Sequence, residues 1–445
     1  MTVLIAGGGI AGLSMALTCH QIGAPFKVFE SIEEIKQLGV GINLQPVAVR
    51  ELIDLGLEPD LGKIGVRTRD YGMYTKAGLE IWTEPRGTWA GNKWPQYSVH
   101  RGMLHMKLYE QLVERAGPDC VETGWAAAGF ENTGDGAVLH LTDRAGETRS
   151  ETGAVVLGAD GIHSAIRAQM APDEGPPVWG GFVLWRGTTR AKPFLSGASM
   201  VMVGHGTQRF VSYPISETDP ETGEALINWI ASIRFHENDP WNKEDWNRIA
   251  DIDDFLPRFI DWKYDWLDVP ETVLANEQVY EYPMVDRDPL ERWTFDCVSL
   301  IGDAAHAAYP VGSNGAGQAI VGARKLGAAF VEHGLTNKAL RVYEDAWRPL
   351  TTGVINAHRS DSGPDGILDE IEERCGGVFD RIEDVISRQE LRDFAENYKK
   401  LAGTSIDDLN ALPQTIAPGA TVQALAARAS SVPGPENLPA DDPPH

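Results

Sequence analysis

The apolar residues of this chain fall into two recurring patterns: short continuous runs that end in glycine, and longer stretches with helical spacing. The first run, residues 3–6, contains β-branched residues and is uninterrupted, which predicts a strand covered on both faces. It opens into Gly7-Gly8-Gly9-Ile10-Ala11-Gly12. A helix through Leu13, Met15, Ala16, Leu17 and Cys19 follows, ending near Gly23, and residues 25–29 predict the next strand. Runs at 154–157 and 298–301 repeat the pattern, leading into Gly158-Ala159-Asp160-Gly161 and Gly302-Asp303. Helical spacing covers 47–56 and 103–116, the latter placing Met103, Met106, Leu108, Leu112 and Val113 on one broad face. Residues 32–37 also read as helix-like, and residues 65–98 as β-hairpins with loops rich in Tyr, Trp and Gly.

From about residue 178 to 282 the pattern changes. Strand-like stretches at 178–189, 199–203, 210–215 and 225–235 are separated by turns such as Gly204-His205-Gly206, with a helical excursion at 244–262. This predicts an inserted, mainly antiparallel sheet. Helices over 315–333 and 338–356 follow, and beyond residue 360 the chain is polar and helical. The prolines and acids after Ser430 predict a disordered tail. The fold class is α/β, a Rossmann-like domain with an inserted antiparallel β-sheet domain and C-terminal helices. Its expected parts are 1–175 and 284–360 for the Rossmann-like body, 176–283 for the inserted sheet, 361–429 for a helical region and 430–445 for the tail.

Composition narrows the partners. The 64 acidic and 39 basic residues give a formal charge of −25, which repels phosphate backbones and anionic lipid, so neither nucleic acid nor membrane is expected to bind. The four cysteines are far apart and form no C-x-x-C pair, as reduced thiols do. The apolar start has no basic segment before it, its first Lys or Arg being Lys27, and no apolar stretch approaches about eighteen residues. A cytoplasmic location is the expectation. No histidine cluster has metal-ligand spacing.

The glycines carry the chemistry. Gly7 permits a tight turn, Gly9 lets a pyrophosphate approach the backbone, and Gly12 lets the helix pack close to the sheet. Glu30, at the end of the second strand, is placed to accept hydrogen bonds from an adenosine ribose. Gly39 and Gly41 among β-branched neighbours suggest backbone passing close to something planar or bulky. Ligands of open α/β sheets bind at the carboxyl ends of strands, so the three glycine turns are expected to converge on one extended ligand.

With these motifs in this order, the sequence resembles the class A FAD-dependent aromatic hydroxylases. Within the class, residues 38–46, 82–87, 95–102, 158–167, 282–290 and 302–320 resemble the phenazine carboxylate hydroxylases. The resemblance implies that Gly7, Gly9, Ala11, Gly12 and Glu30 hold the ADP half of FAD, with Gly41 and Arg101 also reaching the cofactor. It implies that Asp160 and Gly161 lie near the pyrophosphate and the nicotinamide path, and that Gly302 and Asp303 contact the ribitol. Gly315 and Ala316 open a helix whose N–H groups face the anionic reduced flavin, and Tyr309 and Pro310 stand beside the reacting ring. The implied chemistry is reduction of FAD by NADH or NADPH, addition of O2 to form a C4a-hydroperoxide, and oxygen transfer to an aromatic or polycyclic ring. An aromatic carboxylate that loses CO2 is one form of that reaction.

Trp185, Met202, Arg209, Tyr213 and Trp229 on the inserted sheet are candidate substrate residues, and the expected partner is a small aromatic molecule bound by a monomer or homodimer. Plainer readings stand beside these: Asp303 as a helix cap, Asp160 as the organiser of its own turn, Arg101 as a surface ion-pair partner. Two other functions keep the motifs, a flavin-dependent halogenase, epoxidase or dehydrogenase, and a non-catalytic binding protein of the same fold. The W-x-W-x-I-P stretch expected of a halogenase is absent from the sequence.

Overall fold

The computed structural model describes residues 2–37, 39–235, 248–276, 278–360, 366–403 and 405–422; the expected tail and residues 236–247 lie outside these. A six-stranded sheet runs in the order Thr294–Phe295, Val298–Leu300, Val155–Gly158, Val3–Ala6, Phe26–Glu30, Val121–Thr123. All its pairs are parallel except the edge pair of Thr294–Phe295 with Val298–Leu300. Register explains why the motifs converge. Ala6 lies beside both Gly158 and Phe29, and Gly158 lies beside Leu300, so the three apolar runs end at one level of the sheet. The helices Ile10–Gln21 and Gly315–His333 pack against each other over this sheet. Their approach is close, because a Cβ on Gly327 would fall 2.2 Å from the Thr18 methyl.

The second layer is an eight-stranded sheet in the order Arg248–Ile249, Tyr280–Asp286, Val178–Ala191, Ala225–Arg234, Gln208–Pro214, Ser199–His205, Asp70–Tyr74, Glu80–Pro85. It is antiparallel apart from the parallel pairing of Ser199–His205 with Asp70–Tyr74. The sheet is therefore not wholly an insertion at 176–283, since Asp70–Tyr74 and Glu80–Pro85 from the first segment complete it. One local expectation is corrected. Residues 32–37 form no helix, only a bend held where the Ile32 N–H donates to Glu30 Oε1. In the described part of 244–262 the helical excursion is two short 3-10 helices, Ile252–Asp254 and Leu256–Phe259, after the two-residue strand Arg248–Ile249. These short helices and the residues beside them carry Phe255, Phe259 and Trp262 onto the outer face of the sheet, where Trp185 stacks on Phe255 at 4.9 Å.

The C-terminal region forms helices Gly366–Cys375, Arg388–Leu401 and Ile406–Ala411. Ile367, Leu368, Ile371 and Leu391 pack with Tyr71, Met73 and Met202 from the edge of the large sheet. Among the described residues no helix is long and apolar enough to cross a membrane.

Candidate active site

A continuous cavity of about 510 Å³ runs from the first glycine turn, past the other two, to the space between the large sheet and residues 309–316. The glycines divide into two kinds. Gly7 has φ +109°, and a Cβ there would lie 2.3 Å from the Ala159 carbonyl oxygen; on Gly12 it would lie 1.9 Å from the Gly7 carbonyl oxygen. Gly302, at φ +59°, leaves room for Ala11, whose Cβ would stand 2.5 Å from a Cβ on it. These residues let the turns and helix close on one another. A Cβ on Gly9, Gly161 or Gly315 would meet nothing within 4 Å, and all three line the cavity. Gly9 supplies no side-chain cap to the helix Ile10–Gln21, leaving its first N–H groups for an anion.

Glu30 is held where the strand ends. Its Oε2 accepts from the Gly8 N–H at 2.6 Å and its Oε1 from Ser31 Oγ at 2.9 Å and the Ile32 N–H at 3.0 Å. Arg101 is the first residue of the helix Arg101–Ala116, capped by the His100 ring, and its side chain enters the cavity. Asp303 also lines the cavity, in the first turn of Asp303–His306. Burial pushes its carboxyl above the usual carboxylate range, and the Arg101 guanidinium pulls the other way. Asp160 differs. Its Oδ1 accepts from Ser164 Oγ at 2.5 Å and its Oδ2 from the Ala165 N–H at 2.8 Å and the Ile166 N–H at 3.3 Å. Its neighbours Ala159 and Gly161 reach the cavity while its own carboxylate organises the turn, the plainer of the two roles expected of it.

At the far end, residues 309–316 face the sheet. Tyr309 packs with Phe182, Leu184 and Met284; burial pushes its hydroxyl up to about 12, so it stays protonated at neutral pH. Behind it Arg359 donates from Nε and Nη2 to both oxygens of Asp286, at 2.8 and 2.7 Å. Pro310 is exposed to the cavity. Gly312 and Ser313 take φ +66° and +57°, a backbone form uncommon for serine. Asn314 adds no side-chain cap to the helix Gly315–His333, whose first turn, including Gly315 and Ala316, lines the cavity.

Strand alternation decides which sheet residues face this space. Phe182, Leu184 and Arg186, Met200 and Met202, Arg209, Val211 and Tyr213, and Ile230 and Ser232 all line it. Met202, Arg209 and Tyr213 are thus where the sequence placed them. Trp185 and Trp229 are not: each sits one residue out of phase, in the core on the opposite face, its indole N–H donating to Glu281 and to Thr189 respectively. Arg186 and Gly41 are joined, Arg186 Nη2 donating to the Gly41 carbonyl at 3.0 Å. Gly41 is needed there, because a Cβ would lie 2.7 Å from Asn228, whose Oδ1 accepts from the Gly41 N–H. Arg186 escaped the sequence reading, although a buried Trp185 would have put its neighbours on the cavity side. Phe394, Ala395 and Lys399 were missed as well.

The cavity suits an extended dinucleotide. Helix N-termini and side-chain-free glycines stand where phosphates would approach, an acid closes the second strand, and Gln318 Nε2, near the start of Gly315–His333, is buried with no partner among the described residues. The family described as FAD binding domain matches residues 1–252. The chain belongs to this family, that of the class A flavoprotein hydroxylases, and is an FAD-dependent monooxygenase that consumes NAD(P)H and O2. It is 42% identical over 361 residues to phenazine 1,6-dicarboxylic acid hydroxylase of Lysobacter antibioticus, covering 80% of this chain and 89% of that protein. It is 31% identical over 398 residues to a 3-amino-4-hydroxybenzoate 2-monooxygenase of Streptomyces platensis, covering 86% and 94%. Among solved structures, Klebsiella pneumoniae HpxO complexed with FAD and uric acid matches 93% of this chain and 97% of its own, with a TM-score of 0.67 at 20% identity.

Proposed function

We propose that this enzyme hydroxylates a fused-ring aromatic carboxylate of the phenazine type, releasing CO2 when oxygen enters at the carboxyl-bearing carbon. The observation that carries the reading is the apolar cluster of Phe182, Leu184, Ile230, Met284, Tyr309 and Val311, which lines the far end of the cavity. It is apolar and continuous with the glycine cradle. Bound FAD supplies electron transfer from NAD(P)H and activation of O2. The overall change balances: NAD(P)H gives two electrons, one oxygen atom enters the ring and the other leaves as water. The ring–carboxylate bond breaks with its electron pair returning to the ring, and the carboxylate departs as CO2.

In this reading Gly9 and the first N–H groups of Ile10–Gln21 hold the pyrophosphate, with Glu30 toward the ribose and Asp303 and Arg101 toward the ribitol. The N-terminus of Gly315–His333, through Gly315 and Ala316, faces the negative charge of the reduced cofactor. Tyr309, protonated and braced by the Arg359–Asp286 pair, flanks the substrate ring, and Pro310 keeps the loop close to it. The apolar walls exclude water.

Substrate-stimulated NAD(P)H oxidation tests the ring class. Phenazine-1,6-dicarboxylate is expected to accelerate oxidation far more than the single-ring 3-amino-4-hydroxybenzoate. Equal stimulation, or stimulation by the single ring alone, would refute the fused-ring assignment.

A further inference from the structure

Among the described residues Arg186 has no ion-pair partner. Strand alternation puts its guanidinium on the cavity face, between Ile230 and Tyr280 of the neighbouring strands. One bond is made, from Nη2 to the Gly41 carbonyl. Its Nε is buried and has no hydrogen-bond partner among the described residues. The charged and polar groups that act on it are Tyr213, Tyr282 and Arg101, with no carboxylate among them. Among the described residues, the two carboxylates that line the cavity are engaged by other cations: Asp303 faces Arg101, and Glu84 is bound by Arg86 and Lys399 at 2.9 Å each. Arg209 is engaged too, donating from Nε to the His205 carbonyl. A buried guanidinium left unpaired is costly, and a planar fork with a vacant N–H matches a carboxylate. Tyr213, also in the cavity, has its hydroxyl pushed up to about 12 by burial and remains a hydrogen-bond donor at neutral pH.

We propose that Arg186, with the Tyr213 hydroxyl, receives a carboxylate of the substrate and sets which ring carbon lies over the reacting end of the cavity. The proposal rests on the aromatic-carboxylate reading above. It makes Arg186 a specificity residue rather than a cofactor residue.

The test uses FAD-loaded wild type, Arg186→Met and Arg186→Lys, with phenazine-1,6-dicarboxylate and its dimethyl ester as probes. Binding is read from the perturbation of flavin absorbance. Wild type is expected to favour the acid over the ester by about a hundredfold. Arg186→Met is expected to lose that preference while keeping wild-type FAD content and ester affinity, and Arg186→Lys to retain part of it, because the charge remains while the fork is lost. Loss of FAD from Arg186→Met, or equal weakening toward acid and ester, would overturn the assignment and place the arginine with the cofactor or the fold. An acid preference that survives in Arg186→Met overturns it as well. A wild type that responds to neither probe would instead overturn the reading on which the proposal stands, and the proposal with it.

Discussion

Lys399 Nζ donates to Glu84 Oε2 at 2.9 Å, tying the C-terminal helix Arg388–Leu401 to the strand Glu80–Pro85 along one wall of the cavity. The same helix puts Phe394 and Ala395 into that wall, so the C-terminal region forms part of the cavity.

Lys399→Met should therefore raise KM for the aromatic substrate while leaving FAD affinity unchanged. It should lower stability by about 1.5 kcal/mol, the scale of a hydrogen bond to a charged group. The pH dependence has a definite sign. Burial alone would raise the Glu84 carboxyl, but Arg86 and then Lys399 outweigh it and hold the group below the usual carboxylate range. Its stabilisation is thus present above the ordinary carboxylate pKa of about 4.3 and is lost as pH falls through the depressed value. Denaturant melts of wild type and Glu84→Gln should differ at pH 7 and converge in acid. Identical curves at pH 7, or an unchanged KM in Lys399→Met, would contradict this role.

The two kinds of glycine predict opposite outcomes. Gly12→Ala drives a methyl into the Gly7 carbonyl, and should lose several °C in Tm along with FAD. Gly9→Ala meets open space, and should stay within about 1 kcal/mol of wild-type stability while binding FAD at least tenfold more weakly. Thermal melts and FAD titration separate the two; a Gly9→Ala variant with full FAD affinity would show that the pyrophosphate lies elsewhere.

Much of this was legible in the sequence because it depends on local rules. A strand, a glycine turn and a helix are contiguous, and a buried run of four residues such as Val3–Ala6 reads as itself. The phase of the large sheet was harder. Trp185 and Trp229 look like pocket residues by type, yet one residue of register puts them on the far face, and only pairing with neighbouring strands fixes that register. The contribution of Asp70–Tyr74 to the same sheet, and of Phe394 to the cavity, arises from contacts distant in sequence that no local pattern encodes.

The two motif acids should also part company. Asp303→Asn, altering a carboxylate in the cavity, should weaken FAD binding or uncouple NAD(P)H oxidation from product formation, with little change in melting. Asp160→Ala removes a helix cap and should lower stability by about 1 kcal/mol, with FAD affinity retained. Hydrogen peroxide yield, FAD titration and thermal melts distinguish them. The reverse pattern would exchange the roles of Asp303 and Asp160.

The most direct measurement is the fate of oxygen and carbon in one turnover. The FAD-loaded enzyme, NAD(P)H and carboxyl-13C phenazine-1,6-dicarboxylate are incubated under 18O2, and the products are read by mass spectrometry. One 18O atom in a hydroxylated product, matched by one equivalent of 13CO2, is the predicted result; a product without 18O, or NAD(P)H oxidation that yields hydrogen peroxide alone, would contradict the account.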